Sequence, residues 1–152
     1  PGSKLVVGDG PARAELERRY PDACFVGMRL GEELIRHICV ADCMVFPSKT
    51  DTLGLVLMEA MACGVPVVTL DCPSGPGEIV RDGVDGLVVP ADDMTGLEQA
   101  LGRVMSDTAL RGRLAENASD VLERFSETRF LAQWDAVMDG ADEETVLEIG
   151  GR

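Results

Sequence analysis

The chain has 152 residues, a formal net charge of -13 and 45% hydrophobic residues. This length suits one domain, and the apolar content is sufficient for a packed core. The negative charge argues against nucleic acid and against an anionic membrane surface as partners, because both carry the same sign. No apolar run approaches the roughly 18 residues of a membrane helix, and no secretion signal opens the chain, so we expect a cytoplasmic protein.

Short apolar runs alternate with longer stretches of helical periodicity along the chain. Strands are predicted over 4–8, 23–26, 43–46, 67–70 and 86–89. Helices are predicted over 12–19, 31–40, 53–63, 92–105 and 109–124, with a helical turn at 78–80 and a last helix that begins at 126. This order predicts an α/β fold with a Rossmann-like, doubly wound parallel sheet of five strands. The acidic residues 139–152 predict a mobile tail.

Three loops between these elements are candidates for ligand contacts. Gly10 belongs to a Gly-Asp-Gly-Pro turn between the first strand and its helix, where a nucleotide contact and a plain connection are equally open. Met28 follows the second strand, where an open α/β sheet places ligand contacts. Gly75 lies in a loop with two prolines and two glycines, and its amide could face a ligand there; an ordinary connection is the alternative.

The segment 42–70 organises the rest of the chain as strand, polar loop, helix and strand. The loop contains Ser48 and Asp51, whose side chains can cap a helix. Asp51 lies at the mouth of the predicted helix, and Glu59 lies eight positions further on, about two turns inside it.

The amides of Leu53, Gly54 and Leu55 are expected to be free at this mouth, because the first amides of a helix lack partners within it. A carboxylate beside free amides suits a ligand with both hydroxyls and phosphates. The carboxylate accepts from the hydroxyls, and the amides donate to the phosphate oxygens.

The stretch FPSKTDTLGLVLMEAMACGVPVV closely resembles the donor-site signature of a known family. These are the retaining, GT-B-fold nucleotide-sugar glycosyltransferases of the glycosyl transferases group 1 family. The signature is an acidic residue, seven residues and then Glu, framed by Phe-Pro-Ser and Glu-Ala-Met-Ala-x-Gly-x-Pro-Val-Val. The first acid is usually Glu and here is Asp51, which is one methylene shorter. Variants with Asp-Thr at this point resemble a lipid- or mannose-modifying branch.

The resemblance implies an enzyme that transfers a hexose from a UDP- or GDP-sugar to a hydroxyl acceptor with retention, without a metal or other cofactor. Asp51 is implied to be the catalytic-site residue that holds the donor sugar, and Glu59 to accept from the ribose hydroxyls. The other implied donor contacts are Leu53, Gly54, Leu55, Gly10, Met28, Ser48 and Gly75. A helix cap for Asp51 and a solvated helix residue for Glu59 are the alternatives.

Two parts of the resembled enzyme have no counterpart in this sequence. One is the amino-terminal, acceptor-binding domain. The other is the first strand–helix unit of the donor domain, which carries a Gly-Arg turn and a Lys directed at the diphosphate and lies centrally in the sheet; Lys49 is in the wrong loop to replace them. We therefore expect residues 1–138 to be an incomplete donor-binding domain, inactive alone. It would work with the acceptor domain in cis or in trans, with peripheral membrane contact through that domain.

A non-catalytic nucleotide-binding or partner-binding domain is the alternative, with Phe130 and Trp134 on the face that would meet another polypeptide. A phosphoacceptor regulator domain is disfavoured, because Phe46-Pro47-Ser48 stands where its Asp would end the third strand. The five cysteines show no Cys-x-x-Cys spacing, so we interpret them as small buried hydrophobes and predict no metal site.

Overall fold

The computed structural model describes residues 2–73, 75–142, 144–145 and 148. Most of the predicted tail beyond residue 142 therefore lies outside the described residues. Strands and helices alternate up to β5, and helices follow, as predicted. The strands are β1 (Lys4–Val7), β2 (Ala23–Gly27), β3 (Met44–Phe46), β4 (Val67–Asp71) and β5 (Gly86–Pro90). The helices are α1 (Arg13–Arg19), α2 (Gly31–Cys39), α3 (Leu55–Ala62), α4 (Pro76–Ile79), α5 (Met94–Ser106), α6 (Thr108–Ala118), α7 (Val121–Arg124) and α8 (Glu127–Met138).

The predicted parallel α/β class is confirmed, but the single five-stranded sheet is wrong. β1 pairs with β2 in one parallel sheet, and β3, β4 and β5 form a second parallel sheet in that order. Among the described residues no ladder joins β1 to β3. Because β1 hydrogen bonds only to β2 and β3 only to β4, each keeps one strand edge without a partner strand.

The start of α3 differs from the prediction by two residues. Gly54 has φ +73° and ψ +40°, a left-handed conformation that cannot be part of a right-handed helix, so α3 begins at Leu55 and not at residue 53. A Cβ on Gly54 would also lie 2.9 Å from Cδ1 of Leu57. The loop therefore enters the helix through a turn that favours glycine.

The single helix predicted over 109–124 is two helices in the structure. α6 ends at Ala118, and α7 begins at Val121 after a turn in which the Asp120 amide donates to the Asn117 carbonyl. Val121 is buried with the side chains of α3, whereas Asp120 turns its carboxylate to Arg81. Because of this break, Val121 packs in the core while the preceding residue, Asp120, forms an ion pair. Helical periodicity alone does not reveal such a break.

The core lies on both faces of the three-stranded sheet. Val67 of β4 is buried against α3 and α7 on one face, and Val68 is buried against α5 and α6 on the other. Neighbouring residues of a strand point to opposite faces, so a strand covered on both sides is apolar throughout. β4 is therefore fixed by packing on both faces, and so are the points at which the loops on either side of it begin.

The cysteine interpretation is only partly confirmed. Cys72 is buried, whereas Cys24 and Cys39 are exposed, and the described cysteines are free thiols. The pKa of the Cys63 thiol is raised to about 11 by burial and by the neighbouring Cys39. The part of the chain that the structure describes has no helix both long and apolar enough to cross a membrane.

Leu57 is the test of this core, because it is fully buried beneath the loop that enters α3. Leu57→Ala is expected to lower the free energy of unfolding by about 2–5 kcal/mol through lost burial and a cavity. Urea denaturation measures the change. Leu122→Ala is the control: its side chain is 62% exposed, and we expect a change within about 0.5 kcal/mol. Equal effects of the two variants would contradict the assigned core.

Candidate functional site

The carboxyl ends of β3 and β4 bring two loops to one edge of the three-stranded sheet. Because β3 and β4 are parallel, the loop after Phe46 and the loop after Asp71 leave the sheet at the same end. In open α/β sheets, this edge is where ligands bind. The first loop contains Asp51, and the second contains Gly75.

The Asp51 carboxylate closes the loop that leads into α3. Its Oδ1 accepts from the amide of Leu53 at 3.0 Å and from the amide of Gly54 at 2.6 Å. The expectation that these two amides are free is therefore wrong, because the carboxylate is already their acceptor. Both amides precede α3, whose own N-cap residue, Gly54, has no side chain to accept a hydrogen bond. Of the three predicted amide donors, Leu55 alone has no hydrogen-bond partner among the residues that the structure describes.

Glu59 lies one turn inside α3, on the same side of the helix as Leu55. Residues four apart share a helix face, and both of these residues are exposed. The Glu59 carboxylate forms no hydrogen bond or ion pair with the described residues, so its oxygens face solvent near the start of α3. Because α3 begins at Leu55, Glu59 is one turn from the helix start and not the predicted two.

Gly75 lies directly against the backbone of Leu53. It has φ +105°, and a Cβ there would lie 2.9 Å from the Leu53 carbonyl oxygen and 3.0 Å from its carbonyl carbon. No side chain fits into this contact. The structure therefore brings two of the predicted site loops, the acidic one and the glycine-rich one, into van der Waals contact.

An open hollow of about 620 Å³ adjoins this contact at the ends of β4 and β5. Gly75, Gly77 and Glu78 belong to its lining, together with Asp71 and Asp82. Its carboxylates give the hollow a mainly acidic rim, with Arg81 as the cationic group in the lining.

Gly10 and Met28 lie at the carboxyl ends of the other sheet. The Gly8 amide donates to the Gly27 carbonyl at 2.9 Å, which joins the turn that contains Gly10 to the loop that contains Met28. Both predicted residues are exposed, Met28 by 58%. The structure thus groups these two with each other, and Asp51 with Leu53, Gly54 and Gly75.

Ser48 and Lys49 belong to the loop before Asp51. The Ser48 hydroxyl donates to the carbonyl of Thr50 at 2.8 Å, so it shapes its own loop. Lys49 forms an exposed ion pair with Asp92 at 3.8 Å. Neither side chain forms a hydrogen bond with Asp51 among the described residues.

Sequence reasoning missed an ion cluster behind the glycine-rich loop. Asp85 is fully buried and accepts from the amide and the guanidinium of Arg81 and from Nη1 of Arg124, the last at 3.2 Å. Arg124 also donates to the carbonyl of Glu78, and Arg81 to Asp120. The four-residue spacing of Arg81 and Asp85 was the only local signal, because Arg124 comes from a distant helix.

The two arginines of this cluster have opposite electrostatic environments. Burial lowers the pKa of Arg124, and the neighbouring Arg81 lowers it further. The hydrogen bond to Asp120 is the main cause that raises the pKa of Arg81. Arginine stays protonated in proteins, so the cluster holds two positive charges around the Asp85 carboxylate.

The model of the family described as "Glycosyl transferases group 1" matches residues 3–107 of this chain. This range contains both loops, Asp51, Glu59 and Gly75. The chain therefore belongs to the glycosyl transferases group 1 family.

Among its relatives is an exopolysaccharide phosphotransferase of Streptomyces coelicolor, which is 35% identical over 89% of this chain and 15% of that protein. An alpha-D-kanosaminyltransferase of Streptomyces kanamyceticus is 34% identical over 76% of this chain and 31% of that enzyme. The chain thus spans less than a third of the length of either relative.

A solved structure of similar fold is S. aureus TarM in complex with fondaparinux, alpha-GlcNAc-glycerol and UDP. It superposes with a TM-score of 0.78 at 16% identity and covers 99% of this chain and 29% of that chain. At this identity the likeness concerns the fold, which is the Rossmann-like α/β arrangement of GT-B glycosyltransferases.

Replacing Asp51 tests its two hydrogen bonds in the loop. Asp51→Ala leaves the amides of Leu53 and Gly54 without their acceptor, so we expect the unfolding free energy to fall by about 1 kcal/mol. Asp51→Asn keeps one acceptor oxygen and should lose less. Chemical denaturation measures both, with the exposed neighbour variant Thr52→Ala as control. An Asp51→Ala protein as stable as the control would contradict a stabilising role for these two hydrogen bonds.

Proposed function

We propose that this chain is the donor-binding part of an enzyme that transfers a hexose from a nucleoside-diphosphate sugar to a hydroxyl acceptor, with retention at the anomeric carbon. One observation carries this proposal. The loop that contains Asp51 and Leu53 contacts the loop that contains Gly75, at the carboxyl ends of β3 and β4. The family membership and the glycosyl-transferring relative support it.

In this proposal Glu59 holds the nucleoside and Asp51 holds the sugar. The exposed Glu59 carboxylate can accept from both ribose hydroxyls at once, since each of its oxygens has free lone pairs. Gly10 and Met28 would meet the nucleotide from the neighbouring sheet, Met28 beside the base through backbone groups. Ser48 would keep the loop that leads to Asp51 in shape through its bond to the Thr50 carbonyl.

The hydrogen bonds of Asp51 suggest how a donor diphosphate would enter. Its Oδ1 occupies the amides of Leu53 and Gly54, which are the groups that suit a phosphate oxygen. A phosphate at these amides would take over both bonds, and the Asp51 carboxylate would then be free to accept from hydroxyls of the sugar. The Gly75 loop, with no side chain at its closest point, would approach the same phosphates from the other side.

The difficult charge in such a transfer is on the departing diphosphate. Amides at a helix start stabilise it by fixed dipoles directed at the developing charge. We propose that cationic groups from outside this chain complete that stabilisation and that the enzyme needs no metal. Addition of a chelator should then leave transfer by the complete enzyme unchanged.

Acceptor binding and a missing strand–helix unit are assigned to polypeptide outside this sequence. The unpaired edges of β1 and β3 support the second assignment, because a strand between them would join the two sheets into one. We expect the chain to bind a donor nucleotide more weakly than the complete enzyme and to transfer no sugar alone. A mannosyl- or glycolipid-modifying branch is proposed from the Asp-Thr variant of the motif, so GDP-mannose belongs among the donors tested.

Thermal unfolding with UDP, GDP, ADP and GDP-mannose tests donor binding. A nucleotide that binds only the folded chain, present at about a hundred times its dissociation constant, adds about 2.7 kcal/mol and raises Tm by about 5 °C or more. Glu59→Ala should abolish the shift, because it removes the proposed acceptor of the ribose hydroxyls.

Glu116→Ala is the matched control for that experiment, since Glu116 is an exposed helix glutamate on α6, outside both site loops. A shift that persists in Glu59→Ala would contradict the role of Glu59. A cooperative melt with no shift for any nucleotide would contradict donor binding by this chain.

A partner-binding, non-catalytic domain is the second candidate function. Phe130 and Trp134 are 57% and 53% exposed on α8, with ring centroids 6.3 Å apart in an edge-to-face arrangement. Large aromatic side chains are common at the centre of protein interfaces. This candidate predicts a cooperative melt without a nucleotide shift, and it is disfavoured by any shift that depends on Glu59.

A further inference from the structure

The glycine-rich loop is held from behind by a helix that is distant in sequence. α4 is a single helical turn, so no further turn follows whose amides would donate to its last carbonyls. Nη2 of Arg124, at the end of α7, donates to the carbonyl of Glu78 at 3.3 Å. The Arg124 guanidinium therefore supplies a hydrogen-bond donor at the end of α4.

The other end of this guanidinium is tied to a buried carboxylate. Nη1 of Arg124 donates to Oδ2 of Asp85, which is fully buried, and the Arg124 side chain is itself only 17% exposed. Asp85 also accepts from the amide and guanidinium of Arg81, the second residue after α4. A planar guanidinium with donors in a fixed fork suits such a two-ended contact, which an ammonium group does not reproduce.

The same turn forms one wall of the proposed donor site. Gly75 precedes Pro76 at the start of α4 and lies against the backbone of Leu53. Ile79 of α4 and Val121 of α7 are buried in one cluster with Leu57 of α3. α7 thus contacts both walls of the site, through packing on α3 and through hydrogen bonding on α4.

We propose that Arg124 is a positioning residue of the donor site: by joining Asp85 to the Glu78 carbonyl, it holds the Gly75–Ile79 turn against Leu53. This role rests on the proposed donor-binding function. The guanidinium does not touch the ligand, and it acts by reducing the movement of the turn before the ligand arrives. Loss of the contact should weaken nucleotide binding without unfolding the domain.

Arg124→Lys tests this role while keeping a cation beside the Asp85 carboxylate. Arg111→Lys is the matched control, because Arg111 is also mostly buried, caps the carbonyls of Val104 and Met105, and pairs with Asp42 behind the other end of the sheet. Both variants exchange one carbonyl-capping arginine for lysine. The carbonyl that Arg124 contacts belongs to the turn beside the proposed site, whereas the carbonyls that Arg111 contacts do not.

Two measurements on the 152-residue chain separate positioning from general stability. Amide hydrogen exchange at Ile79 and Val80 reports on the turn, since these amides bond to Gly75 and Pro76. Calorimetric titration with UDP, GDP and ADP reports on binding. In Arg124→Lys we expect exchange at these amides to be about tenfold faster and the nucleotide Kd about fivefold to tenfold weaker, with both unchanged in Arg111→Lys.

The outcomes distinguish this proposal from the proposed function. Equal exchange rates at the Ile79 and Val80 amides in the two variants would overturn the positioning role of Arg124, whatever the nucleotide Kd values are. Faster exchange with an unchanged Kd also overturns it, because the turn would then move without effect on the site. If the unaltered chain binds none of the three nucleotides, the proposed function fails, and the exchange difference still shows whether Arg124 holds the turn.

Discussion

The close approach of Gly75 to the backbone of Leu53 is the constraint on which the proposed site depends. Two loops from neighbouring parallel strands meet there with no side chain between them, because a Cβ would lie within 3 Å of the Leu53 carbonyl. The elements beneath the contact hold the two loops at this separation. α3 carries one loop, α4 carries the other, and the apolar cluster beneath joins them.

Charge is arranged around this contact in two separate layers. At the surface, the Asp51 carboxylate accepts hydrogen bonds from two amides in the loop just before α3. Beneath it, Arg81 and Arg124 neutralise Asp85, a carboxylate whose burial without partners would cost several kcal/mol. In the proposed function the outer carboxylate exchanges its bonds for those of a ligand, whereas the inner one is fully buried and stays structural. Exposure thus decides which of the two aspartates is available to a ligand and which one only stabilises the fold.

The division of the strands into two sheets leaves the proposed site on one of them. Among the described residues, β1 and β3 each have a strand partner on one side only. In a doubly wound fold the crossover from β2 to β3 passes over the point where strand order reverses, so β2 and β3 are not expected to pair. The loops after β3 and β4 form without that pairing, because α3 and α4 pack on the three-stranded sheet.

The sequence by itself determined the parallel α/β class, the order of elements and the candidate loops. Apolar runs, helical periodicity and the Gly and Pro breaks are local signals, and the framed Asp51–Glu59 spacing is specific enough to identify the family. The start of α3 and the break between α6 and α7 needed the structure, since Gly54 conformation and the pairing of Asp120 with Arg81 depend on packing. Only the tertiary structure showed that the Leu53 and Gly54 amides are occupied, that Gly75 touches Leu53, and that Arg124 reaches the Glu78 carbonyl 46 positions away. Such contacts depend on side-chain reach between distant elements, which no local pattern encodes.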